Sequence, residues 1–173
     1  MDAFDAISTK IEVRQFASKK VSGDIKRKVL ESARLTGSSM NTQHWRFVLV
    51  QDKANLKRLA GDSTSGKWVE GADFAIIILT DPRVPGNNLD AGRVIQDMQL
   101  GAWNFGVGSG IFTGIVEAKL RKDYALPEGL KIAAVLAFGY ATKKILGKKN
   151  RKTLEELVSV EKFGQEFKAS DLS

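Results

Sequence analysis

The sequence lacks cysteine altogether and contains a single histidine, His44. Without cysteine, the chain can form no disulfide, no thiolate metal site and no cysteine nucleophile. One histidine, with no obvious pattern of carboxylates around it, is also too little to build a metal site. We therefore expect no resident metal, and any redox chemistry would have to come from a bound cofactor.

The sequence also lacks a long apolar run. No uninterrupted apolar stretch reaches the roughly 18 residues needed to span a bilayer, and the acidic N-terminus has no apolar signal region. We therefore expect a cytoplasmic protein that does not enter the membrane. Its 173 residues, 43% of them hydrophobic, are enough for one domain with a sizeable core.

Positive charge is in excess, with a formal net charge of +7. Much of the excess lies in a basic run between Lys143 and Lys152. Such a run is typical of a solvated surface, but it can also attract nucleic acid, anionic lipid or phosphorylated ligands. The charge alone does not choose among these partners. The basic run comprises Lys143, Lys144, Lys148, Lys149, Arg151 and Lys152.

Helix and strand patterns mix along the whole chain. A helix is predicted to begin at the N-cap Ser22 and to end near Gly37. Three short runs rich in β-branched and aromatic residues predict strands at residues 46–51, 74–80 and 132–138. Because these runs are continuously apolar rather than alternating, we expect strands covered by helices on both faces. The mixture indicates an α+β fold around one sheet.

A long helix predicted over residues 89–105 is apolar around most of its circumference. One stripe contains Ile95, Met98, Ala102 and Phe105, and other apolar residues widen it. Such a helix favours burial, in the core or at a subunit interface. The residues that widen the stripe are Ala91, Val94, Leu100 and Trp103.

The C-terminal part of the chain carries one further helix signal. Thr153 and Glu156 fit a capping box for a short helix through Val158. Residues 159–173 are interpreted as a candidate C-terminal arm. No repeat, low-complexity segment or linker divides the chain, so residues 1–173 are predicted to form a single domain.

Two glycine-containing motifs are weak matches to nucleotide-binding loops. Residues 61–67, GDSTSGK, match a phosphate-binding loop, but Trp68 stands where a hydroxyl should bind magnesium. The preceding residues have a helical pattern where that loop requires a strand, so a surface loop is the better interpretation. The glycines of residues 106–110 lack the dinucleotide-binding spacing and follow a helix, which is typical of a helix C-terminus followed by a turn.

A polar cluster follows the first long helix, in residues 37–47, GSSMNTQHWRF. Its hydroxyl and amide groups can bond to a polar ring edge or to a polyol chain. The alternative is a capped turn that leads into a strand, with Trp45 in the core. The polar residues concerned are Ser38, Ser39, Asn41 and Gln43.

Four segments, taken together, resemble the nitroreductase family of FMN-dependent oxidoreductases from about Phe4 to Val158. KIEVR at residues 10–14 resembles the R-R-S-x-R segment of the family, and the polar cluster resembles its P-S-x-x-N-x-Q-P-W-x-F run. GVGSG at residues 106–110 is similar to its flavin-ring segment. Gly139-Tyr140, followed by K-x-R and L-E-E sequences, resembles its C-terminal pattern.

The resemblance implies a role for each segment. Lys10, Lys149 and Arg151 would bind the FMN phosphate with charge-assisted hydrogen bonds. Arg14 would lie at the pyrimidine end of the flavin, where a guanidinium favours the reduced anion. The polar cluster would bind the ring edge or ribityl chain, and the backbone of residues 108–110 would approach flavin N5. The implied cofactor-binding residues are Lys10, Glu12, Arg14, Ser38, Ser39, Asn41, Gln43, Gly108, Ser109, Gly110, Lys149 and Arg151.

Two residues depart from the family pattern beside the implied phosphate site: Ile11 and, more seriously, Glu12, where serine is usual. A carboxylate about 4 Å from a phosphate would cost on the order of 4 kcal/mol per unit charge at an effective dielectric constant near 20. Three outcomes are open: Glu12 turns away from the phosphate, Glu12 pairs with a neighbouring cation, or FMN binds weakly or not at all. We hypothesise that Glu12→Ser tightens FMN binding. His44 stands at a family proline and is interpreted as a turn residue near the site, not as a general acid.

The fold that the resemblance implies is α+β and nitroreductase-like, with a central, mostly antiparallel sheet flanked by helices. It also implies a homodimer with a long buried central helix and with FMN at the subunit interface, where both subunits build each site. NADH or NADPH would give hydride to flavin N5, and the reduced flavin would then reduce a nitroaromatic, a quinone, another flavin or an enal. No protein residue would act as a nucleophile, because the chemistry takes place at the flavin.

Two alternatives remain open. Related members of the superfamily use reduced flavin for flavin breakdown or dehalogenation, although nothing in this sequence marks those reactions. The other alternative is a member of the fold that binds flavin weakly or not at all and uses its basic run to bind an anionic partner such as RNA. Ile11 and Glu12 are the best support for this second alternative, in which nucleic acid is the less favoured partner.

Overall fold

The computed structural model describes residues 1–143 and 149–172. Lys144 and Lys148 of the basic run and Ser173 of the C-terminal arm lie outside the described residues. Within the described ranges, no helix has both the length and the apolar character needed to cross a bilayer. The helices are α1 (Ala3–Thr9), α2 (Gly23–Leu35), α3 (Lys53–Gly61), α4 (Asn87–Asn104), α5 (Glu117–Asp123) and α6 (Leu154–Leu157), and the strands are β1 (Arg46–Val50), β2 (Phe74–Thr80), β3 (Gly108–Phe112) and β4 (Lys131–Gly139).

The four strands form one antiparallel sheet in the order β1-β2-β4-β3. Every residue of the central strand β2 is buried. Ile77 packs in a cluster on one face, with Leu56 and Leu59 of α3, while Ile76 packs on the other face with Met98 of α4. The predictions of three apolar strands and of helices on both faces are confirmed.

Strand β3 differs from the sequence-based expectation, which was a turn. Of the three glycines in residues 106–110, only Gly106, with φ at 72°, lies in the turn after α4, and Gly108–Phe112 then pairs with β4. Glycine is depleted in strands, so the local pattern carries no strand signal. The strand forms because β4 and the N-terminal segment supply hydrogen-bonding partners on its two edges.

The capping signals of the helices are confirmed. Ser22 accepts a hydrogen bond from the backbone of Ile25 at the start of α2, and Thr153 and Glu156 form the complete capping box of α6. Each bond satisfies a backbone N–H that would otherwise lack a partner at a helix start. In the candidate arm, the backbone N–H of Val160 donates to Gln165, and Phe167 is buried.

Helix α4 is buried on one face in the single chain. Val94, Met98 and Ala102 are fully buried, whereas Leu89 is 69% exposed and Arg93 is also exposed. The predicted helix is therefore confirmed, and burial of its second face by a partner subunit stays a prediction.

The segment that resembles a phosphate-binding loop follows helix α3, not a strand, as the helical pattern predicted. Its interpretation as a surface loop is only partly correct, because Asp62, Ser63 and Gly66 are buried. An added Cβ at Gly66 would lie 2.5 Å from the ring of Phe112, so this glycine is required by packing and not by a phosphate.

Candidate functional site

The segment after α1 lies between strand β3 and the end of β4, and this position exposes its polar side chains. The backbone N–H of Val13 donates to Ser109 over 2.8 Å, and that of Ala17 donates to Tyr140 over 2.7 Å. Val13 is buried, whereas Glu12 and Arg14 on either side of it are exposed. An extended segment alternates its side chains, so residues 12 and 14 face the same side, away from the core.

Three cations from distant parts of the sequence converge beside the C-terminal end of α1, and we call them the cation cluster: Lys10, Lys149 and Arg151. Lys149 donates a hydrogen bond to the carbonyl of Ile7 in the last turn of α1. Burial lowers the pKa of Lys149, and the like charges of Arg151 and Lys10 lower it further. Lys10 lies directly after α1, and its side chain is only 10% exposed. The three predicted phosphate ligands therefore share one electrostatic environment.

Glu12 lies at the edge of the cation cluster and forms an ion pair with Lys10. Its carboxylate also accepts hydrogen bonds from the Gln99 amide over 3.0 Å and from the backbone N–H of Ile111 over 3.1 Å. Glu12 therefore pairs with a neighbouring cation, as one of the interpretations from the sequence expected, and its effect on FMN binding stays a prediction. Ile11 is half-buried.

An open cleft runs beside this segment. Its volume is about 540 Å³, and a second cleft of about 480 Å³ shares three lining residues with it and adds the aromatic walls of Trp103 and Tyr140. Volumes in this range suit cofactor-sized ligands. Arg14 lines the first cleft, and its guanidinium carbon lies 5.8 Å from the ring centroid of Trp68. The residues of the first cleft are Glu12, Val13, Arg14, Gln15, Ala141, Thr142 and Lys143.

The glycines of β3 make room for the protein's own N-terminal segment. An added Cβ would lie 2.5 Å from the Val13 side chain at Gly108 and 2.5 Å from the Val13 carbonyl at Gly110. Between them, the buried hydroxyl of Ser109 has no hydrogen-bond partner among the described residues. These three residues lie beneath residue 13, in a strand and not in the predicted turn. Their contact with a flavin ring stays a prediction.

Within the polar cluster, residues 38–43 form a strained loop, which we call the polar loop. Met40, Asn41 and Gln43 all have positive φ, between 47° and 55°, which L-residues adopt only at a cost. The Ser38 hydroxyl accepts from the backbone of Gln43 over 2.9 Å, and the Gln43 amide donates to Asn41 over 3.1 Å. The exposed Asn41 and Gln43 side chains are thus held in one arrangement. Clusters of such strain are typical of ligand-binding sites.

A buried carboxylate, Asp90 in the first turn of α4, anchors this loop. It accepts from the Ser39 backbone over 2.9 Å and from His44 Nε2 over 3.3 Å. Burial raises the pKa of Asp90, but the hydrogen bonds from Ser39 and His44 outweigh it, so that the pKa lies below its ordinary value. Asp90 is therefore a charged anchor. The apolar stripe of residues 89–105 gives no indication of Asp90, although an acidic residue in a first turn is a signal for a helix N-terminus.

His44, interpreted from the sequence as a turn residue near the site, is buried and links two elements of the fold. Its Nδ1 accepts from the backbone N–H of Asp81 over 3.3 Å, and Nε2 faces Asp90. The tautomer with the proton on Nε2 satisfies both contacts. His44 thereby connects the end of β2 with the first turn of α4, and its interpretation as a residue without general-acid chemistry stays a prediction.

The structure divides the predicted site residues into two groups. The loop of residues 38–43 contacts α4 at Asp90, whereas Glu12 contacts α4 at Gln99 and Thr9, the last residue of α1, contacts it at Trp103. At 1.5 Å per residue, Asp90 and Trp103 are about 20 Å apart along the helix. One chain therefore brings Lys10, Glu12, Arg14, Lys149 and Arg151 together but leaves the polar loop at the opposite end of α4.

A family model described as "Putative TM nitroreductase" matches residues 2–170, nearly the whole chain. A protein of Archaeoglobus fulgidus named "Putative NADH dehydrogenase/NAD(P)H nitroreductase" is 27% identical over 144 residues, which cover 78% of this chain and 82% of the relative. A protein of the same name from Methanothermobacter thermautotrophicus is 26% identical over 149 residues, covering 81% and 78%.

Two solved structures are similar over almost their full length. An FMN-dependent nitroreductase from Clostridium difficile R20291 superposes with a TM-score of 0.85 at 21% identity, covering 92% of this chain and 99% of that one. A "Putative NADH dehydrogenase/NAD(P)H nitroreductase" from Bacteroides thetaiotaomicron superposes with a TM-score of 0.83 at 26% identity, covering 94% and 97%. These likenesses confirm the predicted fold class, helices packed on an antiparallel sheet.

Proposed function

The chain belongs to the nitroreductase family, and we propose that it is an FMN-dependent oxidoreductase that uses NADH or NADPH to reduce small acceptors such as nitroaromatics and quinones. It is an enzyme of the oxidoreductase class, as are the relatives named above.

Convergence of the cation cluster supports the proposal most directly. A phosphate monoester carries a charge of about −1.5 to −2 at neutral pH and needs several converging donors. The positive charges of Arg151 and Lys10 lower the pKa of Lys149, which means that the cations repel one another. An anionic ligand would relieve that repulsion. A merely solvated basic surface would not hold a partly buried lysine whose pKa is lowered by two other cations.

The residues around the cleft also fit the rest of an FMN molecule. When bound, FMN accepts a hydride from a nicotinamide and passes the electrons to the acceptor, so no protein nucleophile is needed. Arg14 places a permanent positive charge in the cleft, and Trp68 holds its guanidinium from one side. A fixed cation there stabilises negative charge that develops on the ligand during reduction.

We further propose that the protein is a homodimer in which both chains contribute to each site. The polar loop and the cation cluster lie at opposite ends of α4, so a ligand in contact with both needs the loop of a second copy. The exposed face of α4, with Leu89 and Arg93, would then be covered by the partner.

Flavin binding and reduction test this proposal. The purified protein is titrated with FMN, and the visible spectrum is recorded before and after anaerobic addition of NADH or NADPH. We expect saturable binding, with flavin bands that bleach when the reductant is added. A protein that takes up no FMN even at high protein concentration would overturn the proposal.

A pair of double variants tests the cation cluster itself. Removing Lys149 and Arg151 together, as Lys149→Ala and Arg151→Ala, should weaken FMN binding about 100-fold or more, because charge-assisted hydrogen bonds contribute about 1.5–3 kcal/mol each. The control removes an exposed lysine and an exposed arginine elsewhere, as Lys57→Ala and Arg27→Ala. Equal weakening in both variants would show that net charge, not this cluster, attracts the cofactor.

A further inference from the structure

Glu12 is the only carboxylate among the described residues that lines the first cleft, and it lies beside the cations predicted to hold a phosphate. Its side chain is 38% exposed, so it faces the ligand space and not the core. It is also held in place by donors on three sides: the Lys10 ammonium, the Gln99 amide and the Ile111 backbone N–H. Glu12 is therefore a fixed part of the wall.

The ion pair with Glu12 changes what Lys10 can offer to a ligand. Lys10 is nearly buried, and one of its three N–H donors points at a carboxylate that is already present. A phosphate that bonds to Lys10 must share this cation with Glu12 and must tolerate a second negative charge next to its own. Like charges at close range oppose binding, although partial exposure of Glu12 and salt reduce the effect.

We infer that Glu12 sets the specificity of this site for the phosphorylated end of its ligand, by weakening the preference for a phosphate monoester over the same ligand without phosphate. The inference rests on the proposed function, because it assumes that a flavin binds in this cleft. In ligand terms, the natural site prefers FMN over riboflavin only weakly, and this preference becomes strong when the charge of Glu12 is removed.

Because Glu12 pairs with only one cation of the cation cluster, it weakens phosphate binding without abolishing it. Lys149 and Arg151 contact no carboxylate among the described ion pairs, so they remain available to a phosphate. Lys10 alone is offset by Glu12. We therefore expect FMN binding to persist in the natural chain, with a ratio of riboflavin to FMN dissociation constants of about ten or less. This ratio corresponds to about 1.4 kcal/mol or less.

The test is a comparison of two ligands in matched variants, measured by quenching of flavin fluorescence. Glu12→Gln keeps the size of the side chain and its ability to accept from Ile111, but it removes the charge. We expect the riboflavin-to-FMN ratio to rise about tenfold or more in Glu12→Gln and in Glu12→Ser, because FMN tightens while riboflavin is unchanged. Glu12→Asp, which keeps the charge, should leave the ratio near that of the natural chain.

A second glutamate provides the charge control. Glu117 is ion-paired with Arg121 on α5, and the first cleft does not include it. Glu117→Gln changes the net charge of the protein as Glu12→Gln does, so it should leave the ratio unchanged. Inorganic phosphate should also compete more strongly with FMN in Glu12→Gln than in Glu117→Gln. Thermal unfolding curves check that each variant is folded.

The outcomes separate this inference from the proposed function. If both flavins bind but the ratio is the same in Glu12→Gln, or if both tighten equally, Glu12 does not act on the phosphate and the inference is wrong while the proposed function stands. If neither flavin binds to the natural chain or to any variant, the proposed function is wrong and the inference falls with it.

Discussion

At the scale of single residues, Asp62 is in the least favourable environment of the buried carboxylates described. It is 2% exposed, one of its carboxylate oxygens has no hydrogen-bond partner, and Lys119 is 3.7 Å away and largely exposed. Burial raises the pKa of Asp62, and the nearby Asp123 raises it further. The folded state therefore holds a proton on Asp62 more tightly than the unfolded state does.

Replacing this carboxylate should stabilise the fold at neutral pH. Because the pKa is raised on folding, the contribution of Asp62 to stability is fully present below its ordinary pKa of 3.8 and is lost as the pH rises through the higher pKa of the folded state. Asp62→Asn should raise the free energy of unfolding at pH 7 by about 1 kcal/mol, the usual size of single-residue effects. Urea unfolding at pH 7 and near pH 4 measures this difference, which should shrink at the lower pH.

Asp123→Asn is the matched variant for this test. It removes only the repulsive neighbour, so the increase in the free energy of unfolding at pH 7 should be smaller than for Asp62→Asn. A loss of stability at pH 7 in Asp62→Asn would mean that the ion pair with Lys119 outweighs the burial of the charge.

At the scale of elements, the polar loop stores backbone strain. Met40 has φ at 51° and is 82% exposed, so its side chain contributes little packing to offset that conformation. Glycine adopts positive φ readily, whereas at an ordinary φ it costs chain entropy. Thr42, two residues further on, has φ at −67° and provides the comparison.

Two glycine substitutions in this loop should therefore have different effects. Met40→Gly should be less destabilising than Thr42→Gly by about 1 kcal/mol, the cost of a left-handed conformation for an L-residue. Chemical unfolding of both variants checks the difference. Equal destabilisation would show that the loop relaxes out of its positive φ values in solution.

Some helices and strands could be predicted from local sequence signals alone, and others could not. The apolar runs that became β1, β2 and β4 and the N-cap of α2 were predicted from neighbouring residues, because burial on both faces and capping leave local patterns. Strand β3 was not predicted, because glycine as a residue type is depleted in strands. Gly108 and Gly110 are required here because Val13 packs too closely for a side chain at either position. That contact joins residues almost a hundred positions apart.

At the scale of the whole molecule, the separation of the two groups of site residues predicts complementation between defective chains. One chain carries Lys149→Ala and Arg151→Ala, and the other carries Asn41→Ala and Gln43→Ala. If the site is shared across a dimer, a mixed dimer contains one site with all four changes and one site with none. Each parent dimer contains only defective sites.

Differently tagged chains allow the mixed dimer to be purified and titrated with FMN. We expect about half of the binding sites of the natural dimer to be recovered, with native affinity, because one of two equivalent sites is intact. Failure of the mixed dimer to bind better than its parents would place both groups of residues in one chain or exclude the polar loop from the site. Sedimentation of the natural protein confirms the dimer independently.

The sequence by itself determined the exclusion of cysteine and thiolate metal chemistry, the buried strands, the capped helices and the set of cations, because composition and short-range periodicity are properties of neighbouring residues. Only the tertiary structure decided that Glu12 pairs with Lys10, that Asp90 and His44 anchor the polar loop, and that this loop and the cation cluster lie at opposite ends of α4. Each of these depends on which distant segments meet in space. Such meetings are decided by the packing of the whole chain around its sheet, which no local pattern encodes.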